Sequence, residues 1–253
     1  MSVEVEHRFD GDPAAPPVVL SNSLGAEMGM WDEQMPELAK RFRVLRYDAR
    51  GHGHSPAPAG SYSIEDLARD VLTVLDRNEI ERASFAGVSL GGMVGQWLAI
   101  NAPGRIERLA LCSTSAHLPP PENWADRAAT VRSEGMRAVA EATVGRWLSP
   151  GFHERHPTRV EEIRQMLLRT DPESYAACCE AIAGHDLRAE LGSIEAPTLV
   201  ISAAGDPSMP PEHARLLADS IPGARLLALT EGQHLVNVER PGEVTPALVE
   251  HFG

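Results

Sequence analysis

The sequence has few cysteines, a single lysine and no long apolar run. Its three cysteines, Cys112, Cys178 and Cys179, are an odd set without metal-ligand spacing, so we expect reduced, mostly buried thiols. No stretch approaches about 18 consecutive apolar residues, and the polar N-terminus has no signal-peptide core. The sequence therefore predicts a cytoplasmic protein with no membrane partner. Basic residues other than Lys40 are all arginines, whose planar fork suits a carboxylate wherever one lines a pocket.

Acidic residues outnumber basic ones, and the net charge is -13 at pH 7. A field of that sign repels phosphates, so we expect no nucleic-acid partner. At 253 residues, the chain is long enough to bury a sizeable core within one domain. The sequence leaves the oligomeric state open, a homo-oligomer included.

Short β-rich runs alternate with helical patterns in the first half of the chain and again near its end. This alternation predicts an α/β fold, with a mostly parallel central sheet and helices on both faces. The predicted strands are 17–21, 43–47, 83–86, 108–112, 198–202 and 225–229. The predicted helices between them are 31–42, 63–78 and 90–101.

Residues 117–184 contain no convincing strand and interrupt this pattern. Their amphipathic segments predict helices near 122–148, 158–169 and 172–183. We interpret 117–184 as a helical lid inserted into a core made of residues 1–116 and 185–253. The alternative is a set of extra packing helices with no lid function.

The strongest chemical signal is Gly-Val-Ser-Leu-Gly at residues 87–91. It follows an apolar strand and precedes a helix, which is the context of a nucleophile elbow. Such a turn exposes the serine at a helix N-terminus, where free N–H groups favour developing negative charge. Ser89 is therefore the predicted nucleophile.

A serine hydroxyl needs a base, and the base needs an acid that fixes its tautomer. His234 lies in a loop after the last predicted strand, and we favour it over His52 and His54, which occupy a glycine-rich loop. Asp206 follows strand 198–202, whereas its rival Asp186 precedes that strand. The predicted triad is Ser89, Asp206 and His234.

The tetrahedral intermediate of acyl transfer carries an oxyanion that needs two fixed N–H donors. We expect one from Leu90, the residue after the nucleophile, and the other from Leu24, in the loop after the first inner strand. An ordinary strand-ending turn is the alternative explanation for the Leu24 segment.

Together, these segments resemble the 3-oxoadipate enol-lactone hydrolases of the β-ketoadipate pathway of aromatic breakdown, within the α/β-hydrolase superfamily. The Asn22-Ser23 pair is typical of these enol-lactonases, whereas most related hydrolases have His-Gly there. The matching segments are 20–25 with 30–32, 46–53, 87–96, 201–211 and 234–241. The resemblance implies the α/β-hydrolase fold and the activity of a carboxylic-ester hydrolase.

The implied substrate is a small anionic enol lactone, which Ser89 would open through an acyl-serine intermediate to give 3-oxoadipate. This chemistry needs no metal and no organic cofactor. A local cation must compensate for the negative protein, and the predicted lid contains eight arginines. We expect one arginine of the first long helical stretch to bind the substrate carboxylate, with Trp124 and Trp147 as apolar walls. Arg132 is the first choice, and the others are Arg127, Arg137 and Arg146.

Other functions share this scaffold. A general carboxylesterase, or a hydrolase of carbon–carbon bonds in ring-cleavage products, would use the same triad. A catalytically silent ligand-binding protein is the non-enzymatic alternative, although such proteins often lose the base or the oxyanion loop.

Overall fold

The computed structural model describes residues 2–253. Seven strands form a single sheet. They are β1 (His7–Asp10), β2 (Pro17–Ser21), β3 (Arg43–Tyr47), β4 (Ala83–Val88), β5 (Ile106–Cys112), β6 (Thr198–Ala203) and β7 (Arg225–Leu229). Six of them were predicted from the sequence. The edge strand β1 was missed because it is short and only partly buried.

The strand order is β1-β3-β2-β4-β5-β6-β7. Only β1 runs antiparallel to its neighbour, and every other pair is parallel. The carboxyl ends of β2, β4, β5, β6 and β7 therefore meet at one edge of the sheet. Ligand sites of open α/β sheets form at this edge.

Helices lie on both faces of the sheet, since the chain steps back from β2 to β3 and then forward through β4. The first helices are α1 (Met35–Leu38), α2 (Ile64–Arg77) and α3 (Leu90–Asn101). Then come α4 (Pro121–Glu134), α5 (Arg137–Trp147), α6 (Pro150–Arg155), α7 (Pro157–Arg169) and α8 (Pro172–Ala183). The last are α9 (Pro211–Ser220), α10 (Val236–Glu239) and α11 (Pro241–Phe252).

The central strands β4 and β6 are buried along their whole length. Helix α3 is also buried nearly all round, which fits its position against β2, β4 and β5. Ser63 caps α2 in a reciprocal pair with Asp66. Within residues 2–253, no helix combines the length and apolarity needed to cross a membrane.

Five helices, α4–α8, lie between β5 and β6, and we call them the inserted helices. Two expectations about helix bounds were wrong. The predicted helix 122–148 is two helices, because Gly135 takes a φ of +77° and ends α4. The predicted helix 31–42 is a 3-10 turn at Met28–Trp31 followed by the short α1, whose second residue is Pro36.

Candidate active site

Ser89 lies in the tight turn that joins β4 to α3. Its φ of 56° and ψ of -114° are strained for a residue that carries a Cβ atom. The Ser89 N–H donates to the Cys112 carbonyl at 2.9 Å, and the Thr114 hydroxyl donates to the Ser89 carbonyl at 2.7 Å. Both contacts tie the strained turn to the end of β5, so the backbone of Ser89 is held in the elbow conformation.

The glycines around Ser89 allow α3 to approach the sheet closely. A Cβ atom on Gly87 would lie 2.2 Å from the Gly91 backbone, and one on Gly91 would lie 2.5 Å from the Ser21 carbonyl oxygen. Neither distance is compatible with a side chain. The Gly-x-Ser-x-Gly pattern is therefore a packing requirement of this turn.

Asp206 and His234 form a buried pair on the loops after β6 and β7. The His234 Nδ1 atom lies 2.9 Å from Asp206 Oδ2. The other carboxylate oxygen, Oδ1, accepts the N–H groups of Ser208 at 2.8 Å and Met209 at 3.0 Å. Because an ionised carboxylate only accepts hydrogen bonds, Nδ1 carries a proton, and in the neutral ring Nε2 is then the nitrogen with the free lone pair.

The pKa of Asp206 reflects this environment. Burial alone would raise it, but the charge of His234, its hydrogen bond and the two backbone N–H groups outweigh burial and lower the pKa below the ordinary value. Asp206 is therefore ionised at neutral pH. It can fix the imidazole tautomer and stabilise an imidazolium.

Ser89 and His234 line one cavity of about 50 Å³ between the sheet edge and the inserted helices. The sheet domain also contributes Ser23, Leu24, Ser208 and Met209, and the inserted helices contribute Trp124, Arg127, Thr143, Arg146, Trp147 and Tyr175. Ser89, the His234 imidazole, two arginines and two tryptophans thus share one enclosed space.

A larger groove of about 790 Å³ lies on the surface near α1 and α11. It is lined by Glu33, Glu37, Arg41 and residues of α11. No serine, cysteine or histidine lines it, and the carboxyl ends of the strands do not reach it. We therefore place the candidate active site in the smaller cavity, where the strained serine and the buried imidazole lie.

Two arginines of the cavity have neutral partners. Arg127 donates to the Tyr175 hydroxyl at 2.8 Å and to the Thr143 hydroxyl at 2.6 Å, and Arg146 lies 3.4 Å from the same Thr143 oxygen. Within residues 2–253, neither guanidinium forms an ion pair with a carboxylate. Burial, followed by repulsion from Arg127, lowers the pKa of Arg146. The cavity therefore holds positive charge that the protein itself does not neutralise.

Arg132, the first choice from the sequence, does not line this cavity. Its guanidinium pairs with Glu173 at 3.0 Å and also with Glu180, on the outer side of α4 and α8. These partners are what an exposed arginine finds on a helix surface. Of the other three residues selected for substrate contact, Arg127, Trp124 and Trp147 all line the cavity.

The two expected oxyanion donors lie beside Ser89. Leu90 begins α3, and Leu24 lines the cavity. Within residues 2–253, neither backbone N–H donates to another group of the chain. The Gly91 N–H donates to the Asn22 carbonyl at 3.0 Å, which ties the loop of Leu24 to the elbow helix.

Sequence reasoning missed Tyr175 and Thr143, which hold Arg127. Thr143 lies on α5 and Tyr175 on α8, 16 and 48 positions from Arg127, so no local pattern indicates them. Across residues 2–253, no group of three or more His, Cys, Asp or Glu side chains is arranged to hold a metal ion.

Comparison with known proteins identifies the family. Residues 16–241 match the model of the α/β-hydrolase fold. The chain is 39% identical to 3-oxoadipate enol-lactonase 2 of Acinetobacter baylyi, over 94% of this chain and 89% of that protein. It is 32% identical to a protein of Stutzerimonas stutzeri named as a candidate carbamate hydrolase, over 100% of this chain and 96% of that protein.

A solved structure gives the same result. The crystal structure of an enol-lactonase from Burkholderia xenovorans superposes with a TM-score of 0.96 at 46% identity, covering 98% of this chain and 96% of that one. The predicted fold and the family resemblance are thereby confirmed. The chain belongs to the α/β-hydrolase fold family, in its enol-lactonase branch, and it is an ester-hydrolysing enzyme.

Proposed function

We propose that this enzyme hydrolyses 3-oxoadipate enol-lactone to 3-oxoadipate, with Ser89 as nucleophile, His234 as general base and Asp206 as the acid that orients the base. The observation that carries the proposal is the cavity itself. Two arginines without a carboxylate partner face the same space as the serine and the imidazole. That combination suits a small ester that also bears a carboxylate.

In the first step, the Ser89 hydroxyl attacks the lactone carbonyl while His234 Nε2 takes its proton. The N–H groups of Leu24 and Leu90 stabilise the resulting oxyanion. When the tetrahedral intermediate collapses, the ring carbon–oxygen bond breaks. The His234 imidazolium gives its proton to the leaving enolate, which becomes a ketone, so His234 is neutral again and the open chain stays attached to Ser89 as an ester.

In the second step, His234 takes a proton from water, and the water oxygen attacks the acyl-serine. Collapse of the second intermediate releases the new carboxylate and restores the Ser89 hydroxyl. One water molecule is consumed, and the product has one more carboxylate than the substrate. The product therefore carries more negative charge at neutral pH than the lactone did.

The arginines account for recognition of the anion. The protein has a net charge of -13, which repels an anionic substrate at long range. Arg127 and Arg146 provide a local site of opposite sign, and their neutral partners leave that charge available. A charge-assisted hydrogen bond of this kind contributes about 1.5–3 kcal/mol.

We also propose that residues 117–184 act as a lid. The cavity of about 50 Å³ is smaller than the roughly 300–1,000 Å³ of typical ligand pockets. The Leu235 N–H donates to the Trp147 carbonyl at 3.0 Å, and Glu239 accepts the Gln233 N–H at 2.8 Å and also binds Ser149. These contacts tie the end of α5 to the loop that carries His234. Opening of the cavity would therefore require α4 and α8 to move.

The test is a spectrophotometric assay with enol-lactone generated in situ, run beside p-nitrophenyl acetate and a simple carbamate. We expect a kcat/KM for the lactone that exceeds the values for the other two substrates by at least about 100-fold. The Ser89→Ala variant is the control and should hydrolyse none of them. If only the simple ester or the carbamate reacts, the proposed substrate is wrong.

A further inference from the structure

His52 lies behind the loop that carries Leu24, outside the proposed triad. Its ring is fully buried. The Gly25 N–H donates to His52 Nε2 at 2.8 Å, and His52 Nδ1 lies 3.0 Å from the Arg50 carbonyl oxygen. His52 therefore joins the loop after β3 to the loop after β2.

The partners define the state of the ring. A backbone N–H only donates and a carbonyl only accepts, so Nδ1 carries the proton and Nε2 is the acceptor. Burial lowers the pKa of His52, which favours the neutral ring. The imidazole thus offers one buried lone pair, and that lone pair faces Gly25.

The Gly25 hydrogen bond belongs to a tight turn over residues 23–26. The Ala26 N–H donates to the Ser23 carbonyl at 3.0 Å and closes the turn. Gly25 is the third residue and has a φ of +82°, as type II turns require at that position. Two peptide groups flank Leu24. The carbonyl of the first, on Ser23, accepts the Ala26 N–H, and the N–H of the second, on Gly25, donates to His52 Nε2.

We propose that His52 is a positioning residue for the oxyanion hole: its Nε2 acceptor fixes the Gly25 peptide and thereby the direction of the Leu24 N–H. This inference rests on the proposed function, because it takes the Leu24 N–H as an oxyanion donor. His52 itself touches neither substrate nor the reacting atoms.

The loop that carries His52 is itself rigid. The Arg50 side chain forms two hydrogen bonds of 2.7 Å with Asp70, and Asp70 also accepts the Val3 N–H at 2.6 Å. On the other side, the Asp171 N–H donates to the Gly51 carbonyl at 2.9 Å. The loop therefore holds His52 in place, and the hydrogen bond from Gly25 can in turn restrict the motion of the turn at Leu24.

Solvent cannot replace this acceptor, since the His52 ring has no exposed surface. Without this acceptor, the Gly25 N–H would be buried with no hydrogen-bond partner. Rotation of that peptide towards another partner would then lower the free energy of the turn. A loosened donor stabilises the transition state less than a fixed one. We expect a loss of about 10–100-fold in kcat, less than the loss on removing a whole oxyanion donor.

Two variants separate the acceptor from the rest of the ring. His52→Gln places an amide oxygen at the position of Nε2, so the Gly25 bond can form while the Arg50 bond is lost. His52→Asn reaches only the position of Nδ1, so the Arg50 bond can form while the Gly25 bond is lost. Both variants have an amide of the same polarity, and each loses one hydrogen bond.

We expect the Asn variant to lose about 10–100-fold in kcat with little change in KM, and the Gln variant to stay within about fivefold of the wild type. A trifluoromethyl ketone adds to Ser89 and places an oxyanion in the hole. Its affinity should fall in the Asn variant by the same factor as kcat. The melting temperature of both variants is measured beside the kinetics.

The inference fails if the two variants lose equal activity in proportion to their melting temperatures, because His52 would then only stabilise the fold. It also fails if the Asn variant keeps wild-type kcat. All kinetics use p-nitrophenyl acetate as well as the enol-lactone. A wild type that hydrolyses the ester alone would refute the proposed substrate, while the comparison of variants would still test His52.

Discussion

The sheet core and the inserted helices hold buried charge in different ways. In the core, Asp206 faces His234 at 2.9 Å, and Asp70 faces Arg50 at 2.7 Å. In the inserted helices, Arg127 and Arg146 face one cavity with only neutral partners nearby. Most of the other arginines of the same helices do pair with carboxylates: Arg132, Arg159, Arg164 and Arg169.

This difference indicates that the sheet core and the inserted helices have different roles. Paired buried charges fix a geometry, because each partner holds the other in place. Positive charge left without a carboxylate in an enclosed cavity costs stability and is compensated only when an anion binds. We infer that the core supplies the reacting groups and that the inserted helices select an anionic substrate.

Breaking the core pair has the largest expected effect. Asp206→Asn replaces a carboxylate that fixes the tautomer of His234, and it should lower kcat by about 10⁴-fold. The loss should be equal for the enol-lactone and for p-nitrophenyl acetate, since the pair acts on the imidazole and not on the substrate charge. Steady-state kinetics on both substrates check this, with circular dichroism as the control for folding. A loss below about tenfold would contradict the assignment of Asp206.

The free energy of unfolding should fall in acid because of His185, which lies where the inserted helices rejoin the sheet core. Burial lowers the pKa of His185, at the end of the inserted helices, to about 4. The unfolded chain takes up this proton more readily, so stability present above about pH 6.5 is lost as the pH falls towards 4. The loss should reach about 3 kcal/mol at pH 4.

Urea unfolding at several pH values between 7 and 4 measures this loss. The matched control is His185→Gln, which keeps a polar side chain but cannot titrate. Its stability should fall less steeply with acid than that of the wild type. Equal slopes for the two proteins would show that His185 is not the group responsible.

Removing one cavity charge should separate function from stability. Arg146→Gln is expected to lower kcat/KM for the anionic lactone by about 10–100-fold, mainly through KM, because one charge-assisted hydrogen bond is lost. Hydrolysis of p-nitrophenyl acetate should not change. The melting temperature should stay level or rise, since burial and Arg127 disfavour this charge. A simultaneous fall in stability and in both activities would indicate a structural role instead.

The smallest effect is expected outside the cavity. Arg132→Gln removes an exposed guanidinium that pairs with Glu173 and Glu180. Exposed pairs contribute at most about 1 kcal/mol, so stability should change little and kcat/KM for the lactone should not change. Thermal melting and lactone kinetics beside Arg146→Gln test this. A loss of lactone activity comparable to that of Arg146→Gln would remove the distinction between inner and outer arginines.

The nucleophile turn could be predicted from the sequence because its signals are local. The strand, the flanking glycines and the helix around Ser89 occupy one short segment, and each has its own pattern. Asp206 and His234 could be predicted equally well, because each follows one of the last two predicted strands. All three side chains follow strands of the same direction, so the sheet topology brings their loops to one edge.

The sequence pointed to Arg127, Trp124 and Trp147, which line the cavity, but it did not show which arginine of α4 faces inward. Arg127 and Arg132 are five positions apart on α4, so their side chains point about 140° apart, and the sequence does not say which faces inward. That choice depends on how α8 packs against α4. Arg146 reaches the cavity because the chain turns at Gly135, where the sequence predicted a continuous helix.

The most direct test of this account is the ratio of kcat/KM for the enol-lactone carboxylate to that for its neutral carboxamide analogue. The wild type should prefer the carboxylate by at least about 10-fold, and the double variant Arg127→Gln/Arg146→Gln should lose most of that preference. An Asp206→Asn enzyme should keep the ratio while losing turnover on both. A wild type that hydrolyses the two analogues equally well would contradict the claim that the inserted helices select for negative charge.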